Sequence, residues 1–281
     1  MQVASLRWRT RHGRAFQIPW RPMTGRAAPP GSRLALDFIG RSSVVELDGV
    51  RLLTDPVTGG RVQPLRRVEP VPGRDRLRDI DAVLIAHLHW DHLDVPSLRD
   101  LGRDTAIFVP AGAGSWLRRI GFPDVRELAV GGSAEVWGLF VGAVLAVHSG
   151  HRPPFGPTAP PPGFVVRGSR SVCLRRQYGP ARGDERTRRP IDVGLVPIWG
   201  WGPTPGRGLH LDPWRAAQSL RLIRPWAAMP IHWGTYWPRA LGRVYPERLV
   251  EPAAFIEYAA ELAPDVQTVP TAVGDVVGRE A

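Results

Sequence analysis

The strongest structural signal in this 281-residue chain is the segment Ala86-His87-Leu88-His89-Trp90-Asp91-His92-Leu93-Asp94. It follows residues 82–86, a short apolar run with β-branched members, which favours a buried strand over a helix. Side chains alternate along an extended chain, so His87 and His89 point to the same side. An aspartate and a third histidine follow as the chain turns. Imidazole and carboxylate groups at this spacing predict a metal centre, best suited to zinc and compatible with manganese or iron.

The rest of the chain alternates between short strands and helices. Residues 34–39, 43–47 and 50–54 are apolar runs, and Asp48-Gly49 is a hairpin signal between the last two. Later strands are predicted at 106–109, 142–147, 164–174, 191–198 and 227–231, and helices at 96–101, 112–120, 213–222 and 252–262. Strands dominate the first half, whereas helices and strands interleave later. This mixture favours an α/β domain of two sheets covered by helices.

Basic residues are concentrated at the N-terminus. All 37 are arginine, and seven of them precede residue 34, where no acidic residue occurs. The remaining chain has 30 arginines against 26 acidic residues, so little of the net charge of +11 lies on the predicted domain. A basic segment of this kind contacts phosphates or anionic surfaces weakly. We therefore expect residues 1–33 to be an irregular, poorly ordered extension, residues 34–281 to form the domain, and no specific nucleic-acid partner.

Composition excludes several other classes of protein. A hydrophobic fraction of 43% suffices for a domain-sized core and argues against a disordered chain. Cys173 is the single cysteine, so an internal disulfide framework is excluded. No apolar run reaches the roughly 18 residues of a membrane span, and no apolar segment follows the N-terminal arginines as it would in a secretory signal. We therefore expect a cytoplasmic protein.

The pattern His-x-His-x-Asp-His after an apolar strand resembles the signature of the metallo-β-lactamase superfamily. The flanking segments are Asp48-Gly49-Val50-Arg51-Leu52-Leu53-Thr54-Asp55-Pro56 and Ile80-Asp81-Ala82-Val83-Leu84-Ile85-Ala86-His87. They resemble the branch that contains the ascorbate-lactonase-like proteins and the N-acyl-phosphatidylethanolamine phospholipase D enzymes. The resemblance covers residues 34–265 approximately. It implies an α/β fold, the four-layer αβ/βα sandwich, with a metal site at one edge of its two sheets.

The resemblance also implies which side chains hold the metal. It implies a three-histidine position and a second position with one aspartate and two histidines: His87, His89 and His148, and Asp91, His92 and His232. The segment Pro230-Ile231-His232-Trp233-Gly234-Thr235 matches the family's terminal ligand. His151 lies shortly after His148 and competes for the same place. We favour His148 because it directly follows the predicted strand 142–147.

Two further residues are assigned beside the metal. Asp55 ends a strand as the family pattern does, and metal-binding histidines commonly donate their free N–H to such a carboxylate. The alternative for Asp55 is a simple Asp-Pro strand stop. His210 resembles a family histidine that lies near the substrate without binding metal. The alternative for His210 is a helix-entry residue, with Asp212 as the N-cap before Pro213.

One position departs from the family pattern. The family supplies a further carboxylate after a strand, bridging two metals, and the count along the strand that ends at residue 174 places Gln177 in that slot. A neutral amide does not offset the repulsion between two divalent ions. Asp184 could take its place, but the arginine-rich surroundings of Asp184 favour a solvated loop. We therefore predict one tightly bound metal and a second that is weak or absent.

These assignments predict a metal-dependent hydrolase with Zn²⁺ as cofactor, or Mn²⁺ or Fe²⁺ in its place. A metal-bound hydroxide would attack a phosphodiester, a lactone or a similar ester. Asp91 would orient the hydroxide or take its proton, and His210 would donate to a substrate oxygen. The expected partner is a small-molecule or lipid-like substrate. The alternative is a non-catalytic metal- or ligand-binding member of the same fold, which Gln177 favours. The sequence leaves the oligomeric state open.

Overall fold

The computed structural model describes residues 34–174, 190–199, 210–239 and 252–278, together with the backbone of two strands near the N-terminus. The strands in these parts of the chain are β1 (Ser5–Arg9), β2 (Ala15–Pro19), β3 (Leu34–Phe38), β4 (Ser43–Leu47), β5 (Val50–Thr54), β6 (Arg61–Val62), β7 (Leu65–Arg67), β8 (Ala82–Leu84), β9 (Ala106–Pro110), β10 (Val125–Leu128), β11 (Ser133–Val136), β12 (Leu139–Leu145), β13 (Pro162–Arg167), β14 (Ser171–Leu174), β15 (Val193–Pro197), β16 (Ala227–Ile231), β17 (Tyr236–Pro238), β18 (Gln267–Thr268) and β19 (Val276–Gly278). The helices are α1 (Val95–Leu101), α2 (Gly114–Arg119), α3 (Pro213–Ile223) and α4 (Ala253–Leu262), with a 3-10 turn at Arg74–Leu77. Within the described part of the chain, none of these helices has the length and apolar character needed to cross a membrane.

The first sheet has nine strands in the order β10-β9-β8-β5-β4-β3-β19-β1-β2. Strands β5, β8, β9 and β10 pair in parallel, whereas β3, β4 and β5 form an antiparallel meander. The turn between β4 and β5 is Asp48-Gly49, whose two residues have φ values of 52° and 86°. Positive φ at both central positions belongs to the type I′ hairpin turn, for which this dipeptide is a strong signal. The predicted hairpin is therefore present.

The second sheet has seven strands in the order β11-β12-β13-β14-β15-β16-β18. Strands β11 to β14 pair antiparallel, and β14, β15, β16 and β18 pair in parallel. As a result, β12 runs in the same direction as β14, β15 and β16. A small third sheet consists of β17, β7 and β6.

The two large sheets pack face to face with helices outside them. Leu52 of β5 and Leu195 of β15 are fully buried in the apolar cluster that the inner faces share. Leu53 faces the other way and belongs with Leu98 of α1 to the cluster on the outer side of the first sheet. Helices α3 and α4 cover the outer side of the second sheet, where Leu220 is buried. Adjacent residues of β5 therefore serve opposite layers, as strand alternation requires, and the predicted four-layer αβ/βα sandwich is present.

The structure differs from the expectation of an irregular segment over residues 1–33. The backbone of β1 pairs antiparallel with β2 on one side and with β19 on the other, so this segment extends the first sheet. The sequence carries a matching signal, because apolar and polar residues alternate in Ser5-Leu6-Arg7-Trp8-Arg9. The arginines at alternate positions made the segment resemble a solvated tail. Its other residues lie outside the described part of the chain, and the boundary at residue 34 stays a prediction.

Candidate metal centre

Strand ends from both sheets bring the predicted ligands to one edge of the sandwich. Strands β5 and β8 are parallel neighbours, so Asp55 and the histidine-rich segment leave the first sheet at the same edge. In the second sheet β12 and β16 run in the same direction, and the segments after them carry His148 and His232. The crevice outside the carboxyl ends of strands is where open α/β sheets usually place a ligand. His232 has a φ of 69°, a left-handed conformation that is uncommon for a residue with a side chain and often occurs at functional sites.

The first group of side chains is formed by three histidines, His87, His89 and His148. One ring nitrogen from each lies within 4.8 Å of the corresponding nitrogens of the other two. The ring centroids are 4.6 Å apart for His87 and His89, 4.6 Å for His87 and His148, and 5.0 Å for His89 and His148. The rings meet at steep angles of 70–84° and do not stack. His87 is fully buried, and the other two are half-buried.

The second group lies directly beside the first. Ligand atoms of His87, Asp91 and His92 are within 4.8 Å of one another, and the rings of His87 and His92 are 3.9 Å apart. His232 stacks on His92 with a ring separation of 5.1 Å, and the Nε2 atoms of these two histidines are 3.1 Å apart. Nε2 of His92 is 3.4 Å from Oδ2 of Asp91. His92 therefore lies beside both Asp91 and His232, and the assignment of these three residues as one ligand set stays a prediction.

A buried arginine, Arg41, enters this second group. Its Nε atom donates to the backbone carbonyl of Asp91 over 2.7 Å, and its Nη2 atom forms an ion pair with the Asp91 carboxylate. Nη2 is also 3.2 Å from Nε2 of His92. Arg41 lies in the turn between β3 and β4 and is only 4% exposed. The turn passes so close to Thr235 that a side chain on Gly40 would collide with the threonine hydroxyl, 2.5 Å from the added carbon.

Sequence reasoning missed Arg41. The signal available was the position of this arginine between two predicted strands of mainly apolar residues, where a charged side chain that becomes buried needs a partner. The partner, Asp91, is 50 positions further along the chain. Because all basic residues of this chain are arginine, one functional arginine does not stand out from composition.

Asp55 fixes the orientation of His92. Its Oδ2 atom is 2.8 Å from Nδ1 of His92, and its Oδ1 atom accepts the backbone N–H of Ala86 over 2.7 Å. An ionised carboxylate only accepts hydrogen bonds, so Nδ1 of His92 carries the proton in this pair. Nε2 of a neutral His92 is then a lone-pair acceptor, and it faces Nη2 of Arg41. Asp55 thus contacts a histidine of the cluster, and its role beside a bound metal stays a prediction.

A second arginine, Arg152, lies shortly after His148 in the sequence and stabilises the histidine-rich segment by hydrogen bonds. Its Nη1 atom donates to the backbone carbonyls of Leu88 and Leu93, each over 2.8 Å. Burial lowers the pKa of Arg152, although the nearby Asp94 carboxylate acts in the opposite direction. Asp94 itself caps α1 by accepting from the backbone N–H of Ser97, and burial raises the pKa of its carboxyl. These contacts hold the turn that carries the ligands.

The other predicted residues are placed as follows. His151 is exposed and contacts Thr158, 3.1 Å away, so it does not join the three histidines. The His210 ring is 4.8 Å from that of His148, which puts it at the border of the centre. Asp212 caps α3 by accepting from the backbone N–H of residue 215 over 2.8 Å, so the helix entry described in the alternative for His210 is also present. Gln177 and Asp184 lie outside the described residues.

The donor chemistry of the three-histidine group fits a divalent metal ion. Three convergent imidazole nitrogens, with two of the rings half-buried, match sites in which three protein ligands leave a fourth position for water or substrate. The second group does not fit a further ion in the same way, because the guanidinium of Arg41 already pairs with its carboxylate. The assignment of the individual ligands stays a prediction.

A histidine centre at the carboxyl edge of a four-layer αβ/βα sandwich defines the class of metallo-β-lactamase-fold proteins. The chain belongs to the β-lactamase superfamily, because the model of the Beta-lactamase superfamily domain matches residues 50–233. The superfamily predicted from the histidine motif is therefore confirmed. The matched range contains the six predicted ligands and begins after Arg41.

Curated relatives agree with this assignment. The chain is 33% identical over 259 residues to an uncharacterized protein of Mycobacterium tuberculosis, covering 82% of this chain and 65% of the relative. It is 28% identical over 242 residues to N-acyl-phosphatidylethanolamine-hydrolyzing phospholipase D 1 of Caenorhabditis elegans, covering 73% and 65%. A UPF0173 metal-dependent hydrolase of Methanopyrus kandleri is 28% identical over 244 residues, covering 84% and 96%. The chain thus spans about 65% of the length of the first two relatives.

Solved structures confirm the predicted fold. Igni18, a metallo hydrolase from the archaeon Ignicoccus hospitalis, superposes with a TM-score of 0.65 at 22% identity, covering 89% of this chain and 99% of Igni18. CmlA, a diiron β-hydroxylase from Streptomyces venezuelae, gives a TM-score of 0.61 at 18% identity, covering 91% and 55%. At these identities the likeness concerns the fold alone.

Proposed function

We propose that the protein is a metal-dependent hydrolase that cleaves a phosphodiester or a related ester. The observation that carries this proposal is the convergence of His87, His89 and His148 at the carboxyl edge of the two sheets. Two of the relatives support it by name, one as a metal-dependent hydrolase and one as an N-acyl-phosphatidylethanolamine-hydrolyzing phospholipase D.

Zinc is the proposed metal. Three neutral imidazoles are a common ligand set for zinc. Iron and manganese can also bind to such a set, so the ligand types favour zinc but do not exclude these two metals. CmlA, which has a similar fold, is a diiron enzyme, so iron is the next candidate. When bound, a divalent ion would supply Lewis acidity, which makes water acidic near neutral pH and polarises a phosphoryl or carbonyl oxygen.

The residues around the three histidines have separate tasks in this proposal. Asp91 is held in place by Arg41 through both its backbone carbonyl and its carboxylate, so its position beside His87 is fixed before substrate arrives. A carboxylate fixed in this way can accept a proton from the attacking water. His210, at the border of the centre next to His148, can donate a hydrogen bond to a substrate oxygen. Arg152 and Asp55 keep the ligand-bearing segment in its turn.

The proposed substrate is a small-molecule or lipid-like phosphodiester, with lactones and simple esters as the next class. The lipid-like class rests on the Caenorhabditis elegans relative, whose name specifies a phospholipid. The alternative, a non-catalytic binding protein, retains the metal and lacks turnover.

The test uses protein stripped with a chelator and reloaded with Zn²⁺, Mn²⁺ or Fe²⁺. Hydrolysis of bis(p-nitrophenyl) phosphate, p-nitrophenyl acetate and a γ-lactone is measured for wild type, His89→Ala and His151→Ala. His151 is the matched control, because it is a histidine of the same edge that contacts Thr158 and lies outside the three-histidine group. We expect metal-dependent turnover of the phosphodiester in wild type and His151→Ala and none in His89→Ala. Turnover that survives in His89→Ala, or no turnover of any of the substrates with any metal, would overturn the proposal.

A further inference from the structure

The contacts of Arg41 bear on how many metal ions the centre holds. We propose that the Arg41 guanidinium takes the place of a second metal ion, so that the protein holds one ion, at His87, His89 and His148. This inference shares one assumption with the proposed function, namely that the three histidines bind a metal ion. It assigns a role to a residue that lies before the range matched by the superfamily domain.

The guanidinium of Arg41 contacts the same side-chain atoms that would bind a second ion. Nε2 of His92 and Oδ2 of Asp91 are 3.4 Å apart, a spacing suited to two ligands of one tetrahedral ion whose bonds are about 2.0–2.2 Å long. Nη2 of Arg41 contacts both of these atoms, through an ion pair with Asp91 and over 3.2 Å to His92. The charge of Asp91 is therefore already paired with a cation that belongs to the chain, and Nε2 of His92 lies within hydrogen-bond distance of both this cation and His232.

The guanidinium is held too firmly to leave easily. Arg41 is 4% exposed, and its Nε atom donates to the backbone carbonyl of Asp91 over 2.7 Å, in addition to the ion pair. The guanidinium of arginine is a permanent cation in proteins. Displacing it would leave a buried charge without its carboxylate, which is strongly unfavourable. A divalent ion placed on the same atoms would also be repelled by the guanidinium across only a few ångströms of protein.

The substitution of an arginine for an ion changes what the centre can do. The guanidinium carries one positive charge where a metal carries two, and it offers N–H groups where a metal offers coordination positions. Asp91 is consequently fixed by hydrogen bonds and not by coordination. A chelator can remove the ion at the three histidines but leaves the cation at Asp91 in place.

Metal counting tests this inference without reference to activity. Zn²⁺ is titrated into chelator-stripped protein, and bound metal is measured by equilibrium dialysis and elemental analysis for wild type, Arg41→Met and Arg76→Met. Arg76 is the matched control, because it is a partly buried arginine paired with an aspartate, Asp37, away from the histidines. We expect one tight equivalent in wild type and Arg76→Met. In Arg41→Met we expect a second equivalent, bound about a hundredfold more tightly than any second equivalent of wild type.

A double variant locates the second ion. In the His89→Ala background the three-histidine group is incomplete, so the chain with Arg41 intact should bind no metal tightly. His89→Ala combined with Arg41→Met should regain one equivalent, at Asp91, His92 and His232. Arg41→Gln is examined alongside Arg41→Met, with thermal melting as the check that each variant is folded.

Two results would overturn the inference. Wild-type protein that binds two tight equivalents would show that the guanidinium moves aside for the second ion. Folded Arg41→Met and Arg41→Gln that each bind a single equivalent would show that something other than Arg41 limits the count. Absence of hydrolysis in all variants contradicts only the proposed function, because the metal count is measured independently.

Discussion

Nδ1 of His92 lies 2.8 Å from Oδ2 of Asp55, although the two residues are 37 positions apart in the sequence. The contact exists because β5 and β8 are parallel neighbours, so the residues that follow them leave the sheet side by side. It fixes the proton of His92 on Nδ1 and turns Nε2 towards Arg41. The tautomer of one histidine thus depends on a carboxylate at the end of a neighbouring strand.

Replacing Asp55 with asparagine should destabilise the fold while leaving one metal equivalent. The carboxylate accepts from both Ala86 and His92, whereas an amide has one acceptor oxygen and would oppose one of these N–H groups with its own donor. We expect Asp55→Asn to lower the free energy of unfolding by about 1–3 kcal/mol, the penalty for a buried donor without an acceptor.

The measurement is urea unfolding followed by tryptophan fluorescence. Asp124→Asn is the control, because Asp124 is 38% exposed and pairs with Arg126 at the surface. Its midpoint should stay close to that of wild type. Equal midpoints for Asp55→Asn and wild type would show that the contact with His92 does not stabilise the protein.

Tyr236 should make the protein sensitive to alkali. Its hydroxyl donates to the backbone carbonyl of Gly59 over 2.6 Å, and burial raises the pKa of the phenol above 10.0, although Arg67 acts in the opposite direction. Because the folded-state pKa is the higher one, the associated stability is complete below the unfolded pKa and is lost as the pH rises through the folded pKa.

Tyr236→Phe should therefore show a flatter decline of stability above about pH 10 than wild type. At pH 7 the same variant should be less stable by about 1 kcal/mol, since a hydrogen bond is lost. Tyr258→Phe is the control, because Tyr258 is 39% exposed. Thermal melts between neutral pH and the onset of alkaline unfolding provide the comparison. Identical pH profiles for wild type and Tyr236→Phe would refute the expectation.

The features that could be predicted from the sequence are those encoded by neighbouring residues. Asp48-Gly49 specifies its hairpin locally, and Asp212 caps α3 three residues away. The histidine motif identified the superfamily, and through it the convergence of His148 with His87. The role of Arg41 was not predictable in this way. Arg41 follows β3 and Asp91 follows β8, so the two residues meet only when the first sheet is assembled.

Removing residues 1–33 should weaken the first sheet. Strand β1 pairs along β19, which in turn pairs with β3, so the truncation leaves the backbone groups on one side of β19 without their strand partner. An uncovered sheet edge promotes pairing with other chains. We expect a lower melting temperature and a greater tendency to associate, measured by thermal melting and size-exclusion chromatography. A truncated chain with the melting temperature and elution behaviour of the full-length chain would show that β1 and β2 do not stabilise the sheet.

The last prediction concerns Gln177, which lies outside the described residues and takes the family's carboxylate slot by its position in the sequence. If charge at this slot alone limited the metal count, Gln177→Asp would create a second site. Because Arg41 already pairs with Asp91, we expect Gln177→Asp alone to change the second-equivalent affinity little. The double variant Arg41→Met/Gln177→Asp should bind two equivalents, and the second more tightly than in Arg41→Met, by about ten- to a thousandfold for an added anion near a divalent ion. Zn²⁺ titration of the two single variants and the double variant separates the contributions. A strong gain in Gln177→Asp alone would show that the missing carboxylate, and not the guanidinium, keeps the second ion out.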